Sequence, residues 1–126
     1  MSYPQNYKYT KDHEWIELLA NKKARVGVTS YAVEQLGDIV HMDLPKVGAQ
    51  VKSGDSFGTI ESTKTVSDLY MPVTAKVTAV NDAVSKAPET LQENSYQWLL
   101  EIELSDESEL KTLLEASAYE KFVSES

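Results

Sequence analysis

The chain has 126 residues, of which 25% are charged and 41% hydrophobic, and these values are those of one ordinary globular domain. Twenty acidic residues against twelve basic ones give a formal net charge of −8, which argues against nucleic acid or anionic lipid as a partner. The absence of cysteine excludes disulfides, thiolate metal sites and cysteine nucleophiles.

The N-terminus has no basic region followed by an apolar run, as a secretory signal would, and no stretch approaches the length of a membrane span. We therefore expect a soluble intracellular protein without a membrane partner. It would lie in the cytoplasm of a bacterium, or in the mitochondrial matrix as a mature eukaryotic form.

The first part of the chain predicts a β-hairpin. Residues 9–18 alternate from Trp15 onward, residues 20–23 form a turn, and residues 24–28 return as the second strand. His13 lies beside Glu14 in the first strand. With two histidines in the whole chain, a solvated or hydrogen-bonded histidine is expected here, and no metal site is predicted.

A short helix is predicted over residues 29–37, with Thr29 or Ser30 as its N-cap and Gly37 as a left-handed stop. The residues expected on its buried side are Tyr31, Ala32 and Leu36. Residues 38–44 then return to strand, which Pro45 ends because proline cannot donate to a ladder.

Two glycines follow this strand. Gly48 and Gly54 lie where tight turns need positive φ. Their spacing fits neither a phosphate-binding loop nor the dinucleotide fingerprint, so both are interpreted as turn residues.

Ten residues near the middle of the chain, 61–70, lie between two strand signals. Residues 56–60 lead in and residues 73–80 lead away, which predicts a hairpin with Lys64 at its tip. The amine of a lysine at such a tip projects away from both strands, and it is a nucleophile that a modifying enzyme can acylate. By residue type alone, an exposed lysine is usually a solvated charge.

The last part of the chain combines a strand and a helical segment. Residues 98–104 alternate as a strand, and the residues expected on its buried face are Leu100, Ile102 and Leu104. Residues 106–109 have capping-box spacing, and residues 117–120 repeat that signature. A C-terminal helix is therefore predicted, and the leucines expected to dock it on the sheets are Leu110, Leu113 and Leu114.

Residues 61–72, ESTKTVSDLYMP, resemble the lipoyl-attachment segment of the glycine cleavage system H proteins. In that family the lysine of an E-S-x-K-x-x-S-[DE]-L-Y-x-P run carries lipoic acid in amide linkage. The H-E-W run at 13–15 and the L-G-D-I-V run at 36–40 are also typical of the family. The resemblance covers residues 9–122.

Many short strands with little helix favour a mostly β protein. The resemblance implies a lipoyl-domain-like β-sandwich or flattened barrel (a barrel-sandwich hybrid), with a short helix near residues 30–36 and a C-terminal helical segment. It also implies a single lipoyl-carrier domain over residues 1–126.

The resemblance further implies a carrier subunit with lipoic acid covalently attached to Lys64 as a swinging arm. The arm would accept the aminomethyl group of glycine with the P protein, present it to the T protein, and be reoxidised by the L protein, which serves glycine catabolism and one-carbon metabolism. A lipoate ligase or lipoyl transferase would load it, and the carrier would be a monomer. No nucleophile–base–acid set is visible in the sequence, so we expect no enzyme activity of its own.

The loaded arm would carry an ammonium group on a thioether carbon, and water would release that carbon as formaldehyde, so its host needs a partly dry cleft with a carboxylate. By resemblance, Glu14 and Asp68 occupy the matching positions, and Asp12 is a third candidate. Solvated strand-end carboxylates are the alternative interpretation of Glu14 and Asp68. Glu61 would mark the site for the lipoylating enzyme.

The sequence departs from the family pattern in two places. Residues 94–98 form a shorter loop that lacks the usual proline, and Ala75 replaces a glycine. An H-like protein that relays lipoyl groups to other lipoyl-dependent complexes would also fit, as would, with less support, an unmodified acidic β-sandwich adaptor. A lipoyl domain of a 2-oxo acid dehydrogenase would lack the C-terminal helix, and a biotin carrier would place methionines where Thr63 and Thr65 flank Lys64.

Overall fold

Two antiparallel sheets of unequal size form the framework of this computed structural model, which describes residues 3–92, 94, 96–105 and 107–125. The strands are β1 (Lys8–Tyr9), β2 (Glu14–Leu18), β3 (Lys23–Val28), β4 (Ile39–Asp43), β5 (Gln50–Val51), β6 (Ser56–Ser62), β7 (Val66–Tyr70), β8 (Ala75–Val80), β9 (Leu100–Leu104) and β10 (Leu114–Glu115). The seven-stranded sheet has the order β10-β1-β2-β3-β9-β8-β5, and the three-stranded sheet has the order β4-β6-β7.

The described residues also form several short helices. These are α1 (Ser30–Leu36), α2 (Asp82–Lys86), α3 (Ala116–Ser124) and the 3₁₀ helices Pro88–Gln92 and Glu107–Thr112. The predicted fold class is confirmed: the structure has two sheets that do not close into a barrel, a helix at residues 30–36 and a C-terminal helix. None of the described helices has the length and apolar character needed to cross a membrane.

The predicted first hairpin is confirmed as β2 and β3, in which Glu14 lies opposite Val28. Its first strand begins at Glu14 and not at Tyr9, because residues 10–13 form a turn that the N–H of His13 closes by donating to the carbonyl of Thr10. Asn21 and Lys22 occupy its turn with φ values of 60° and 61°. Two successive residues with positive φ give the backbone a twist that matches the right-handed twist of paired strands. This turn therefore fixes the register that brings Glu14 beside the start of α1.

The capping and turn residues also lie where the sequence predicts them. Thr29 caps α1, because its hydroxyl accepts a hydrogen bond from the backbone N–H of Ala32 at 3.3 Å. Gly37 ends the helix with a φ of 77°. Gly48 and Gly54 have φ values of 97° and 86°, which only glycine adopts without strain.

The side of α1 that packs on the core differs from the prediction. Val33 and Leu36 are its buried residues, whereas Tyr31 and Ala32 are only half-buried. The ring of Tyr31 lies instead against the ring of His13, with 4.7 Å between their centroids. The missed residue is Val33, which lies a helical turn before Gly37.

Two hydrophobic clusters stabilise the described part of the chain. The main core fills the space between the sheets and includes Ile16 together with Leu100, Ile102 and Leu104, as predicted for the last strand. Trp15 belongs to a second, mostly aromatic cluster, because successive side chains of a strand point to opposite faces. The buried members of this cluster are Tyr3, Tyr9, Trp15, Ala116 and Tyr119.

The predicted hairpin around Lys64 exists, but one of its arms was wrongly predicted. β6 pairs with β7, so the return arm is Val66–Tyr70 and not residues 73–80. The latter run forms β8, which pairs with β5 and β9 in the larger sheet. The polar residues of β7 concealed it as a strand: Leu69 is its one buried side chain, and the other side chains face solvent or a cleft.

The predicted C-terminal helix exists, but the leucines and the capping residues predicted for it were wrong. The three predicted leucines do not share a helix: Leu110 lies in a 3₁₀ helix, Leu113 in a bend, and Leu114 in β10 beside Tyr9. α3 begins at Ala116 with Glu115 as its N-cap and no side-chain capping bond, so the capping signature at 117–120 was wrong. Asp106 and Ser95, which belong to the predicted capping box and to the shortened loop, lie outside the described residues.

Candidate carrier site

Lys64 lies at the exposed tip between β6 and β7. The tip is organised by Ser62, a residue only 5% exposed. Its hydroxyl oxygen accepts hydrogen bonds from the backbone N–H groups of Lys64 and Thr65, both at 3.2 Å. The backbone N–H of Ser62 donates to the carbonyl of Thr65 at 2.8 Å. The backbone that presents Lys64 is therefore held by a buried hydroxyl.

The tip is anchored to the end of α1. The backbone N–H of Thr63 donates to the carbonyl of Asp38 at 3.0 Å. The end of α1 is itself fixed by Gln92 of the first 3₁₀ helix, whose Nε2 donates to the carbonyl of Gly37 at 2.8 Å. The side chain of Lys64 lies over Gly37 so closely that a Cβ there would be 3.3 Å from Lys64 Cε. Gly37 therefore provides the surface along which this lysine leaves the tip.

A cleft of about 160 Å³ lies between α1 and strands of the sheets, and Leu36, the residue before Gly37, is part of its lining. Its apolar lining is Val28, Ala32, Leu36, Ile60 and Leu69. Its polar lining is Asp12, His13, Glu14, Gln35, Ser67 and Asp68. The three carboxylates predicted by resemblance thus line one cleft, although Asp12 and Glu14 are far from Asp68 in the sequence.

Glu14 is the buried carboxyl group of this cleft, with 2% of its surface exposed. Thr10 Oγ1 donates to its Oε1 at 2.9 Å, and the backbone N–H of Tyr70 donates to its Oε2 at 3.1 Å. Burial raises the pKa of Glu14 to about 8, although both hydrogen bonds favour the charged form. The side chain is therefore largely a neutral acid at pH 7, and a cation entering the cleft would favour its ionisation.

Asp68 and Asp12 are exposed, unlike Glu14. Asp68 Oδ1 accepts a hydrogen bond from Ser56 Oγ at 3.5 Å, and its charge is the largest contribution that raises the pKa of Tyr70. Asp68 and Asp12 therefore supply negative charge at the edge of the cleft, and not a buried ligand. Glu61 is exposed on β6 and does not line the cleft.

Sequence reasoning missed three contributors to the site. Ser62 could have been recognised, since a serine at a strand end commonly bonds the backbone two or three residues further on. Gln35 and Ser67 carried no local signal, because their place in the cleft depends on how α1 packs across the small sheet. In the described part of the chain, the structure contains no group of three His, Cys, Asp or Glu side chains that could hold a metal ion.

An exposed lysine at a hairpin tip in a two-sheet fold with a cleft is the arrangement that a carrier of a lysine-bound group needs. The comparisons with known proteins are more specific. The model of the glycine cleavage H-protein family matches residues 7–126. A glycine cleavage system H protein of Acidobacterium capsulatum is 51% identical over 126 residues, which cover 99% of this chain and 97% of that protein.

Two further comparisons agree with this one. A glycine cleavage system H protein of Koribacter versatilis is 48% identical over 99% of this chain and 97% of its own. The crystal structure of a glycine cleavage system H protein from Mycobacterium marinum superposes with a TM-score of 0.83 and 39% identity, covering 98% of both chains. The chain belongs to the glycine cleavage H-protein family.

Proposed function

We propose that this chain carries lipoate in amide linkage on Lys64 and shuttles the aminomethyl group of glycine within the glycine cleavage system. Its family is that of the carrier subunit of this system, and the carrier role follows from that membership. When bound, lipoate supplies a disulfide that can be reduced and can hold the aminomethyl group. The residues of the chain supply the attachment point, the shelter and the charge.

The observation that carries the proposal is the position of Lys64 relative to the cleft. The lysine is exposed at the tip and lies over Gly37, which follows the cleft residue Leu36 in the sequence. A modifying enzyme needs that exposure, and an attached arm needs a groove within its reach. Both needs are met without a change in the fold.

The cleft residues fit the proposed group. The arm of lipoate is a hydrocarbon chain, and the apolar lining of the cleft would bury it and exclude water. Glu14 lies in the same cleft, where its buried carboxyl can ionise and hold a cation. Asp12 and Asp68 would add negative charge at the edge. Glu61, which is exposed three residues before Lys64, remains accessible to a lipoylating enzyme.

The partners we propose are those of the family: the P, T and L proteins of the glycine cleavage system, and a lipoate ligase or lipoyl transferase. We further propose a monomeric, single-domain carrier that is cytoplasmic in a bacterium and that has no catalytic activity of its own. The family match over residues 7–126 disfavours an unmodified adaptor. No specific feature of the described residues favours a lipoyl relay.

The proposal is tested by intact-mass analysis after incubation with lipoate ligase, lipoate and ATP. We expect one lipoyl increment on the natural chain and on Lys52→Arg, a control at another exposed lysine, and none on Lys64→Arg. No increment on the natural chain, in the presence of a control substrate that is modified, would contradict the proposal. So would an increment that persists in Lys64→Arg.

A further inference from the structure

His13 lines the cleft beside Glu14, and a buried hydrogen-bond chain connects its ring to the C-terminal helix. His13 Nδ1 lies 2.8 Å from the hydroxyl of Tyr119. The same hydroxyl lies 2.8 Å from Thr29 Oγ1. Tyr119 and Thr29 are both fully buried, so neither hydroxyl can use water as a partner. This hydrogen-bond chain thus joins the residue before β2, the N-cap of α1 and helix α3.

The direction of this chain follows from its donors and acceptors. Thr29 Oγ1 already accepts a hydrogen bond from the backbone N–H of Ala32. Among the described residues, the one acceptor within reach of the Thr29 hydroxyl proton is the oxygen of Tyr119. If Thr29 donates to Tyr119, then Tyr119 donates to His13 Nδ1, and every donor has an acceptor. The reverse direction leaves a buried hydroxyl proton without an acceptor, which is costly.

The imidazole must therefore carry its proton on Nε2. A neutral imidazole has one N–H donor and one acceptor, and here Nδ1 is the acceptor. A proton on Nδ1 would have to displace the one donated by Tyr119, so the imidazolium is disfavoured in the same way as the other neutral tautomer. The burial of the ring acts in the same direction, because it lowers the pKa of His13.

Packing holds the ring in this orientation. Its centroid lies 4.7 Å from that of Tyr31 on α1 and 5.9 Å from that of Phe122 on α3. The backbone is fixed as well, since His13 has a φ of 68° and its carbonyl accepts the N–H of Thr29 at 3.0 Å. Asp12 is the charged neighbour that opposes the effect of burial on the ring; it does not touch the chain.

We propose that Tyr119, together with Thr29, is a positioning residue that holds His13 as the neutral Nε2–H tautomer. The cleft wall beside Glu14 then develops no positive charge. A neutral wall matters because an imidazolium at this place would repel the cation that Glu14 is suited to hold. The role toward the arm rests on the proposed function, whereas the tautomer does not.

The tautomer is measured on the unmodified, nitrogen-15-labelled protein by correlating the imidazole nitrogens with the ring protons. His41 is the other histidine of the chain, and a His41→Asn variant assigns the two sets of signals. We expect His13 to show an unprotonated Nδ1 and a protonated Nε2 at neutral pH. A protonated Nδ1, in the neutral or the charged ring, would overturn the proposal. This outcome does not depend on a substitution of Thr29 or Tyr119.

Tyr119→Phe tests the coupling to the C-terminal helix. The variant keeps the ring that stacks on Tyr9 at 4.7 Å and removes only the hydroxyl. We expect its His13 signals to shift toward a mixture of tautomers and its imidazolium to form at a higher pH. Thr29→Ser keeps a hydroxyl at the cap and should leave the spectrum as in the natural chain. An unchanged spectrum in Tyr119→Phe would contradict the positioning role.

The role toward the arm is tested on lipoylated protein loaded with the aminomethyl group. We expect Tyr119→Phe to release formaldehyde severalfold faster than Thr29→Ser at the pH where its imidazolium forms, because that charge repels the ammonium group. Equal release rates would overturn the role of His13 as a neutral wall of the cleft. Failure of lipoylation itself would refute the proposed function and leave the measured tautomer standing, so the two failures are distinguishable.

Discussion

Glu14 is the residue whose charge state depends most on the fold. Its side chain shares a face of β2 with Ile16, a fully buried core residue, because side chains two apart on a strand point the same way. The two hydrogen bonds from Thr10 and Tyr70 do not offset the loss of water, so its pKa rises to about 8. The neutral acid is thus the form that burial in the cleft favours.

The raised pKa predicts a pH dependence of stability. Between pH 4.5 and about 8 the folded state keeps a proton on Glu14 that the unfolded chain releases. This contribution to the free energy of unfolding is fully present below pH 4.5 and is lost as the pH rises through about 8. We expect the unmodified protein to lose stability across this range, by at most about 1.4 kcal/mol per pH unit, and Glu14→Gln to remove the dependence.

Urea unfolding of the unmodified protein at a series of pH values measures this effect. Glu61→Gln, at an exposed position of β6, is the matched control, and its free energy of unfolding should change with pH as in the natural chain. If Glu14→Gln also kept this pH dependence, another group would be responsible for it, and Glu14 would not be a buried neutral acid.

At the scale of elements, the hairpin of β6 and β7 determines where the lysine is presented. The sequence predicted its tip correctly, because Lys64 lies in a polar run between β-like residues. The return arm could not be recognised, since Val66 is exposed and Leu69 is the single buried residue of β7. A strand whose second face borders a cleft has no apolar alternation to reveal it.

The buried hydroxyl of Ser62 predicts a further effect on the hairpin. In Ser62→Ala the backbone N–H groups of Lys64 and Thr65 lose their acceptor. Both residues are exposed, so water can replace it and the fold should persist, with a loss of about 1 kcal/mol. The tip should become less ordered, and initial rates of lipoylation, followed by intact mass, should fall severalfold. Thr63→Ala, at an exposed side chain, is the control, and equal rates in the two variants would contradict a role for Ser62.

At the scale of the whole molecule, the C-terminal segment forms hydrogen bonds with loops that connect the strands. Glu109 accepts hydrogen bonds from the backbone N–H of Thr74 at 2.7 Å and from its hydroxyl at 3.0 Å. The backbone N–H of Ser53 donates to the same hydroxyl at 3.1 Å, and that of Ser105 donates to the carbonyl of Thr74. Further on, Tyr119 connects α3 to the cleft. The segment is therefore more than a cover for the core.

Sequence reasoning could not predict this arrangement. A glutamate three residues after an aspartate, followed by spaced leucines, has the pattern of a capped helix. The segment does not form that helix because its residues have other partners. Glu109 accepts a hydrogen bond from Thr74, and Leu114 in β10 pairs with Tyr9 in β1. Local patterns sufficed for the first hairpin, for α1 and its caps, and for the last long strand. Contacts between distant segments determine the cleft and the C-terminal packing.

The two hydrogen bonds from Thr74 to Glu109 predict a loss of stability in Glu109→Ala. The change removes the acceptor of two half-buried donors, so we expect the free energy of unfolding to fall by about 1–3 kcal/mol. Urea unfolding measures it, and Glu107→Ala, an exposed residue of the same 3₁₀ helix, should change it little. An equal effect of the two substitutions would show that the hydrogen bonds between Thr74 and Glu109 do not stabilise the fold.

The most direct test of the account is glycine–bicarbonate exchange catalysed by P protein in the presence of this chain. We predict exchange that requires the lipoylated chain, is absent with Lys64→Arg, and is retained with Lys52→Arg. Exchange supported equally by the unmodified chain or by Lys64→Arg would contradict the assignment of the carrier lysine. No exchange with a fully lipoylated chain, under conditions where another H protein is active, would contradict its place in glycine cleavage.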